Sequence, residues 1–174
     1  MCFDEFGPVQ VRPQAGSAWA PKGRPIRRRA TYRRTLGVRY FFAAYDVHED
    51  VLWMHQRRRK RTGDVLLFLK TLRARYPHRR RICLVLDNLS THNGREVKRY
   101  CRASNIMLVY TATYASWMNR IECHFAPFRQ FVLDNSDHAD HRELARAAQH
   151  YLRWRNSDKK NQKIVKAQNS IRTL

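Results

Sequence analysis

Apolar positions along the chain fall into short dense runs and longer stripes, and the two spacings predict alternating strands and helices. Residues 36–47 are rich in Tyr, Phe, Val and Ala, and 51–55 resume after His48-Glu49-Asp50, the pattern of an antiparallel hairpin. Thr62-Gly63-Asp64 supplies a capping residue and an early acid. Val65, Phe68, Leu69, Leu72 and Tyr76 then recur at helical spacing until Pro77 stops the helix. Ile82 to Leu86 is an unbroken apolar run ending in Asp87, the mark of a strand covered on both faces and parallel to its neighbours. A short helix over 94–104 and a buried strand over 106–110 complete a right-handed strand-helix-strand unit. Ser116 is placed to cap a helix over 117–133 with Ile121, Phe125, Phe128 and Val132 on one stripe, and a last helix over 142–156 carries Leu144, Ala148, Tyr151 and Leu152.

The amino terminus is harder to place. Met1-Cys2-Phe3 runs into Asp4 like the end of a strand whose earlier part is missing. Residues 7–25 then gather Pro8, Pro13, Pro21 and Pro25 with Gly7, Gly16 and Gly23, predicting a long loop with Trp19 as its one large anchor. Beyond residue 156 the basic, weakly patterned segment 157–174 is expected to be a tail rather than part of the core.

Composition narrows the class. With 174 residues, 43% of them hydrophobic, the chain is one domain's worth and long enough for a core without disulfide staples. Its 35 Lys and Arg against 14 Asp and Glu give a formal charge of +21, a self-repulsion that a polyanion would relieve. The longest apolar run, Tyr40 to Tyr45, is far short of the roughly 20 residues of a membrane span, and the acidic Met1-Cys2-Phe3-Asp4-Glu5 start is unlike a secretory signal. A cytoplasmic, nucleoid-associated protein is expected, with no membrane partner. Cys2, Cys83, Cys101 and Cys123 have neither zinc-ligand nor disulfide spacing and read as buried reduced thiols.

In so basic a chain the few acids are informative. Asp4, Asp46 and Asp87 each end an apolar run, where α/β folds build their sites, and Glu122 sits in the first turns of a helix. Brought together, such carboxylates would repel unless hard cations such as Mg²⁺ or Mn²⁺ neutralised them, and a pair of ions would suit phosphodiester chemistry. A lone strand-end Asp is more often a turn former, so spacing alone decides little.

Three blocks change that. Cys2-Phe3-Asp4-Glu5-Phe6-Gly7-Pro8, Val85-Leu86-Asp87-Asn88-Leu89-Ser90-Thr91-His92 and Tyr114-Ala115-Ser116-Trp117-Met118-Asn119-Arg120-Ile121-Glu122 occur in order, with 34 residues between Asp87 and Glu122. Together they resemble the catalytic blocks of DDE superfamily transposases and endonucleases, in particular the bacterial insertion-sequence branch of the mariner superfamily. The resemblance implies an α/β fold, a ribonuclease H-like mixed sheet flanked by helices over 1–156, its first strand truncated here. It also implies Asp4, Asp87 and Glu122 as catalytic residues and as ligands of two Mg²⁺ or Mn²⁺ ions. Glu5, on the opposite side of the strand, takes no part, and Asp46 becomes a turn residue.

Neighbouring residues have two readings each. Asn119, three before Glu122, either orients a ligand or caps the helix. Asn88 and His92 either shape the site or form an ordinary turn. Trp117 is expected to pack inward rather than stack on a base. Arg27, Arg28, Arg29, Arg33 and Arg34, then Arg57, Arg58, Arg59, Lys60 and Arg61, then Arg79, Arg80 and Arg81 are expected to contact DNA phosphates from one groove.

The activity implied is metal-dependent DNA cleavage and strand transfer at transposon ends, with end and target DNA as partners, TA as the target and a homodimer on DNA. Full-length relatives carry a helix-turn-helix region ahead of the catalytic domain, and this sequence opens on the first catalytic strand. A separate chain supplying that region, a truncated remnant and an excised domain all remain open. Arg120 stands where many relatives carry proline. The competing function is an inactive remnant that binds DNA through its basic surface.

Overall fold

The structure, a computed structural model, describes residues 1–17, 19–25, 27, 36–113 and 115–157. Five strands form one mixed sheet in the order β3-β2-β1-β4-β5. β1 is Cys2–Gln10, β2 Val38–Asp46, β3 Val51–Arg57, β4 Ile82–Leu86 and β5 Ile106–Tyr110. β1 lies antiparallel to β2, with Asp4 opposite Ala43, and parallel to β4, with Cys2 opposite Val85. β4 and β5 are parallel in a register that sets Leu86 against Tyr110. The helices are α1 (Thr62–Arg73), α2 (Arg95–Ala103), α3 (Phe125–Val132) and α4 (His141–Arg155). This is the ribonuclease H-like arrangement expected, and the hairpin, β4, β5, α2 and α4 lie within a few residues of their predicted places.

Alternation along the strands divides the core in two. Cys2, Phe41, Ala43 and Tyr45 face α3 and α4, meeting Phe128, Val132, Leu144 and Ala148. Phe3, Phe42, Ala44, Leu84 and Leu86 face α1 and α2, meeting Phe68, Leu69, Leu72 and Val97. Each fully buried Leu or Phe contributes about 1.5–3 kcal/mol relative to an exposed one, so both layers hold β1 in place. Among the described residues no helix is long and apolar enough to cross a membrane.

Several expectations fail, each for a local reason. The loop predicted from Gly7 does not begin there: β1 continues to Gln10 through a register shift between Phe6 and Val9, where Gly7 has φ +140°. A bulge is where a strand tolerates both Gly and Pro. Trp19 is wholly exposed and anchors nothing. The helix expected over 117–133 is two 3₁₀ turns, Ser116–Met118 and Arg120–His124, followed by α3, and Ser116 makes no capping bond. Likewise Arg61 rather than Thr62 is the N-cap of α1, its backbone N–H donating to Asp64 Oδ2 at 3.2 Å. β4 is fully covered on one face and only partly, at Val85, on the other. α3 and α4 lie over β1, β2 and β3, leaving Cys83 of β4 and Met107 and Val109 of β5 exposed on that side. Cys123 is exposed too, so two of the four free thiols are not buried.

Two glycines give opposite expectations. A Cβ at Gly7 would lie 3.0 Å from the Arg39 carbonyl, at a φ that L-residues avoid, so Gly7→Ala should lower unfolding free energy by about 1–3 kcal/mol in urea titration. Gly63 in α1 has nothing within 4 Å, and Gly63→Ala should raise it by about 0.5–1 kcal/mol.

Candidate active site

β1 delivers two adjacent acids to opposite faces of the sheet. Asp4 points to the α3 side, level with the carboxyl end of β4, where the chain leaves the sheet at Asp87. Glu122 enters from the second 3₁₀ turn. That turn is fastened to β1 by Asn119, whose Nδ2 donates to the Phe3 carbonyl at 2.8 Å while the residue is 1% exposed. Asn119 thus ties Glu122 to the residue beside Asp4. The loop after β4 is fastened similarly, with Asn88 Nδ2 donating to the Thr111 carbonyl beyond β5 at 2.7 Å.

The three acids feel one another. Burial pushes the Asp4 carboxyl up to about 7; a bond from the Glu5 backbone N–H at 2.7 Å opposes this, and the charges of Glu122 and Asp87 add to it. Burial also raises Glu122, which shares a hydrogen bond with Asp4 and feels Asp87. One proton between Asp4 and Glu122 therefore stands where a cation would relieve the same repulsion. Hard, partly desolvated carboxylate oxygens are the donor set a divalent ion prefers. Among the described residues no three His, Cys, Asp or Glu side chains are already drawn close enough to enclose an ion. Asp87 has a hold of its own.

That hold comes from a residue pair which spacing alone did not join. Glu5, set aside because it faces away from Asp4, is buried on the α1 side with its Oε1 2.7 Å from His92 Nε2. His92 Nδ1 lies 2.7 Å from Asp87 Oδ1, and its side chain is 0% exposed. Burial alone would lower the histidine pKa, but the two carboxylates outweigh it and the pKa is raised. Asp87 Oδ1 also accepts from the Leu89 N–H at 3.1 Å. The signal available in the sequence was the alternation itself, since an acid flanked by apolar core positions needs a partner.

The basic clusters divide. Arg57 to Arg61 follow β3 at the end of the sheet toward which β1 extends beyond Asp4. Arg79, Arg80 and Arg81 precede β4, at the opposite end of that strand from Asp87. Arg80 lies 5.2 Å from the centre of the Tyr76 ring, and Arg81 Nε donates to Asn105 Oδ1 at 3.3 Å. These two clusters do not border one groove. Arg27 is exposed, whereas Arg28, Arg29, Arg33, Arg34 and the tail from 158 lie outside the described residues. Trp117 is 75% exposed instead of packed inward, because the 3₁₀ turn that carries it has no buried residue. Asp46 is a turn residue, accepting from the His48 and Glu49 N–H groups at 2.9 and 3.2 Å.

The raised Asp4 pKa has a defined consequence for metal-free protein. Between 3.8, the ordinary value, and about 7 the folded state holds a proton that the unfolded chain has released, so stability falls as pH rises through that window. Asp4→Asn should therefore raise the thermal midpoint in EDTA more at pH 8 than at pH 5, measured by circular dichroism. An equal shift at both pH values would contradict the assignment.

Comparison with known proteins gives the same picture. Structures similar to this chain include the Mos1 transposase paired-end complex with left transposon end (TM-score 0.63, 16% identity, 97% of this chain and 54% of that chain). The Mos1 mariner paired end complex with Mn gives a TM-score of 0.64 at 16% identity over 97% of this chain and 54% of that one. The simian T-cell lymphotropic virus intasome in complex with PP2A regulatory subunit B56 gamma gives 0.53 at 14% identity, covering 68% and 42%. The chain thus spans about half the length of these structures. No curated protein matches it in sequence. The sequence profile of the DDE superfamily endonucleases matches residues 1–145, and the chain, with its ribonuclease H-like sheet, belongs to that family.

Proposed function

We propose that residues 1–156 form the catalytic domain of a transposase that cleaves DNA phosphodiesters at transposon ends and transfers the freed strand to target DNA. The observation that carries this reading is the convergence of Asp4, Asp87 and Glu122, from three distant segments, into one electrostatically coupled cluster with the Asp4 carboxyl raised to about 7. DNA as the partner fits the charge of +21 and the transposon-end DNA in the similar Mos1 complex. A homodimer on paired ends and a separate chain carrying end recognition belong to the same proposal.

Asp4, Asp87 and Glu122 would hold two Mg²⁺ or Mn²⁺ ions. When bound, such ions supply charge stabilisation to the attacking and leaving oxygens of an in-line displacement. The protein's own contribution is placement. Asn119 holds the Glu122 turn against β1, His92 fixes one Asp87 oxygen and leaves the other for a ligand, and Asp4 and Glu122 release their shared proton as the site is filled. In the first step a water oxygen bonds to phosphorus as it gives up a proton to solvent, the bond to the 3′ oxygen breaks, and that oxygen takes a proton from solvent to become the 3′-hydroxyl. In the second the 3′-hydroxyl attacks a target phosphodiester in the same manner and displaces its 3′ oxygen.

Supercoiled plasmid with Mn²⁺ tests the proposal. Wild type should nick it, while Asp87→Ala and Glu122→Ala should each lose at least about 100-fold in rate and keep DNA binding. Nicking no faster than in these variants would leave the alternative, a protein that binds DNA through its basic surface without cutting.

A further inference from the structure

A cleft of about 530 Å³ opens beside the acids, and its two walls repeat one order of chemistry. Along β1 and the segment just beyond it come Asp4, Phe6 and then Arg12; along the 3₁₀ turn and α3 come Glu122, Phe125 and then Arg129. The carboxylates stand together at one end, the phenylalanine rings meet at 5.4 Å between centroids, and both arginines are exposed at the other end. Among the described residues Arg129 has a loose ion pair, Nε to Asp134 Oδ1 at 3.7 Å with the arginine side chain 64% exposed. Gln10, also on this wall, has a buried Oε1 with no hydrogen-bond partner among the described residues. None of Phe6, Gln10, Arg12, Phe125 and Arg129 belongs to the three sequence blocks' acids or to the basic clusters.

The geometry points to this cleft as the seat of a few unpaired nucleotides on one side of the scissile phosphate, an inference that rests on the phosphodiester-cutting function proposed above. The acid end takes the reacting phosphate, the guanidiniums take the phosphates that follow, and the aromatic stretch between them gives a sugar or base an apolar surface to stack on. From Asp4 to Gln10 the strand rises about 20 Å, room for more than one nucleotide. A duplex, whose major groove alone is about 12 Å wide, does not enter a space of that volume. The charge is also graded along the cleft: the strand's phosphates are drawn toward Arg12 and Arg129, and the acid end would take the reacting phosphate only once cations neutralise its carboxylates. Cutting at the acid end thus requires the adjoining strand to be unpaired over this distance.

Fluorescence anisotropy in EDTA with labelled hexathymidylate and a blunt 20-base-pair duplex tests the assignment without reading any cutting. Arg12→Gln with Arg129→Gln should weaken hexathymidylate at least about tenfold and reduce the slope of log affinity against log salt by about 1.4, at about 0.7 per lost phosphate contact on a single strand. Duplex affinity should change by less than threefold. Arg58→Gln with Arg59→Gln, an equal loss of charge elsewhere, should spare hexathymidylate. Each single variant, expected to reduce the slope by about 0.7, carries the test if the double variant does not fold. Unchanged hexathymidylate binding, equal losses for both DNAs, or an equal effect of the Arg58 and Arg59 pair would each overturn the cleft assignment. A protein that behaves as expected here yet does not nick plasmid keeps the cleft as a single-strand seat and loses the nuclease function.

Discussion

Two neighbouring carboxylates on one strand must leave the sheet by opposite faces, and each then has to be neutralised on its own side. Glu5 finds an internal partner in His92, buried with it among the α1-side core. Asp4 finds none: it shares a proton with Glu122, and its pKa is raised to about 7. The asymmetry makes one acid structural and the other a site. It also links the faces, since His92 reaches from Glu5 to Asp87 and so fixes the position of the second acid of the cluster from the far side of the sheet. A single buried imidazole ring thereby holds together the end of β4 and the middle of β1, which exchange few backbone bonds.

The rest of the architecture serves to hold these segments against their repulsion. Phe3, between Cys2 and Asp4, packs on Phe68 with ring centroids 5.3 Å apart on one side and offers its carbonyl to Asn119 on the other. The Glu122 turn cannot swing away without leaving that carbonyl and the Asn119 amide unpaired, a desolvation penalty of about 1–3 kcal/mol. Ile121, fully buried beside Glu122, adds an apolar anchor in the α3 and α4 layer. A short, irregular 3₁₀ segment can therefore hold Glu122 in a fixed place beside β1.

Much of the scaffold was legible in the sequence because strands buried in a sheet carry unbroken apolar runs. Ile82–Leu86 and Ile106–Tyr110 have the bounds that their composition predicts. What was not legible depends on tertiary context. The stripe Ile121, Phe125, Phe128 and Val132 is genuine, since Ile121, Phe128 and Val132 all enter one core, but 3₁₀ and α turns present nearly the same face over so short a span, and the period could not separate them. Gly7-Pro8 reads as a loop until β2 is seen to continue pairing past it. Trp117 was expected inside because aromatics usually are, yet the residues that pin this segment, Ala115, Asn119 and Ile121, are already enough to seat it. His92 was visible as a residue near Asp87; its bond to Glu5, 87 positions away, was not.

Asp46 shows why position at a strand end does not by itself distinguish a functional acid. It is more fully buried than the half-buried Asp4, and burial alone would raise its pKa; but the Tyr76 hydroxyl donates to its Oδ2 at 2.7 Å, two backbone N–H groups donate to Oδ1, and the pKa ends below its ordinary value. At Asp50, by contrast, the Tyr45 hydroxyl at 3.0 Å and Arg155 both donate to the one oxygen Oδ1. An acid whose lone pairs are taken up by fixed donors is stable as an anion and has little to offer a ligand. Asp4 and Glu122 receive too few donors, so their oxygens stay available, and the fold meets the repulsion only partway with a shared proton. What separates a site from a turn in this chain is thus the number of hydrogen-bond donors the fold withholds, a quantity fixed by three-dimensional neighbours and invisible to spacing along the sequence.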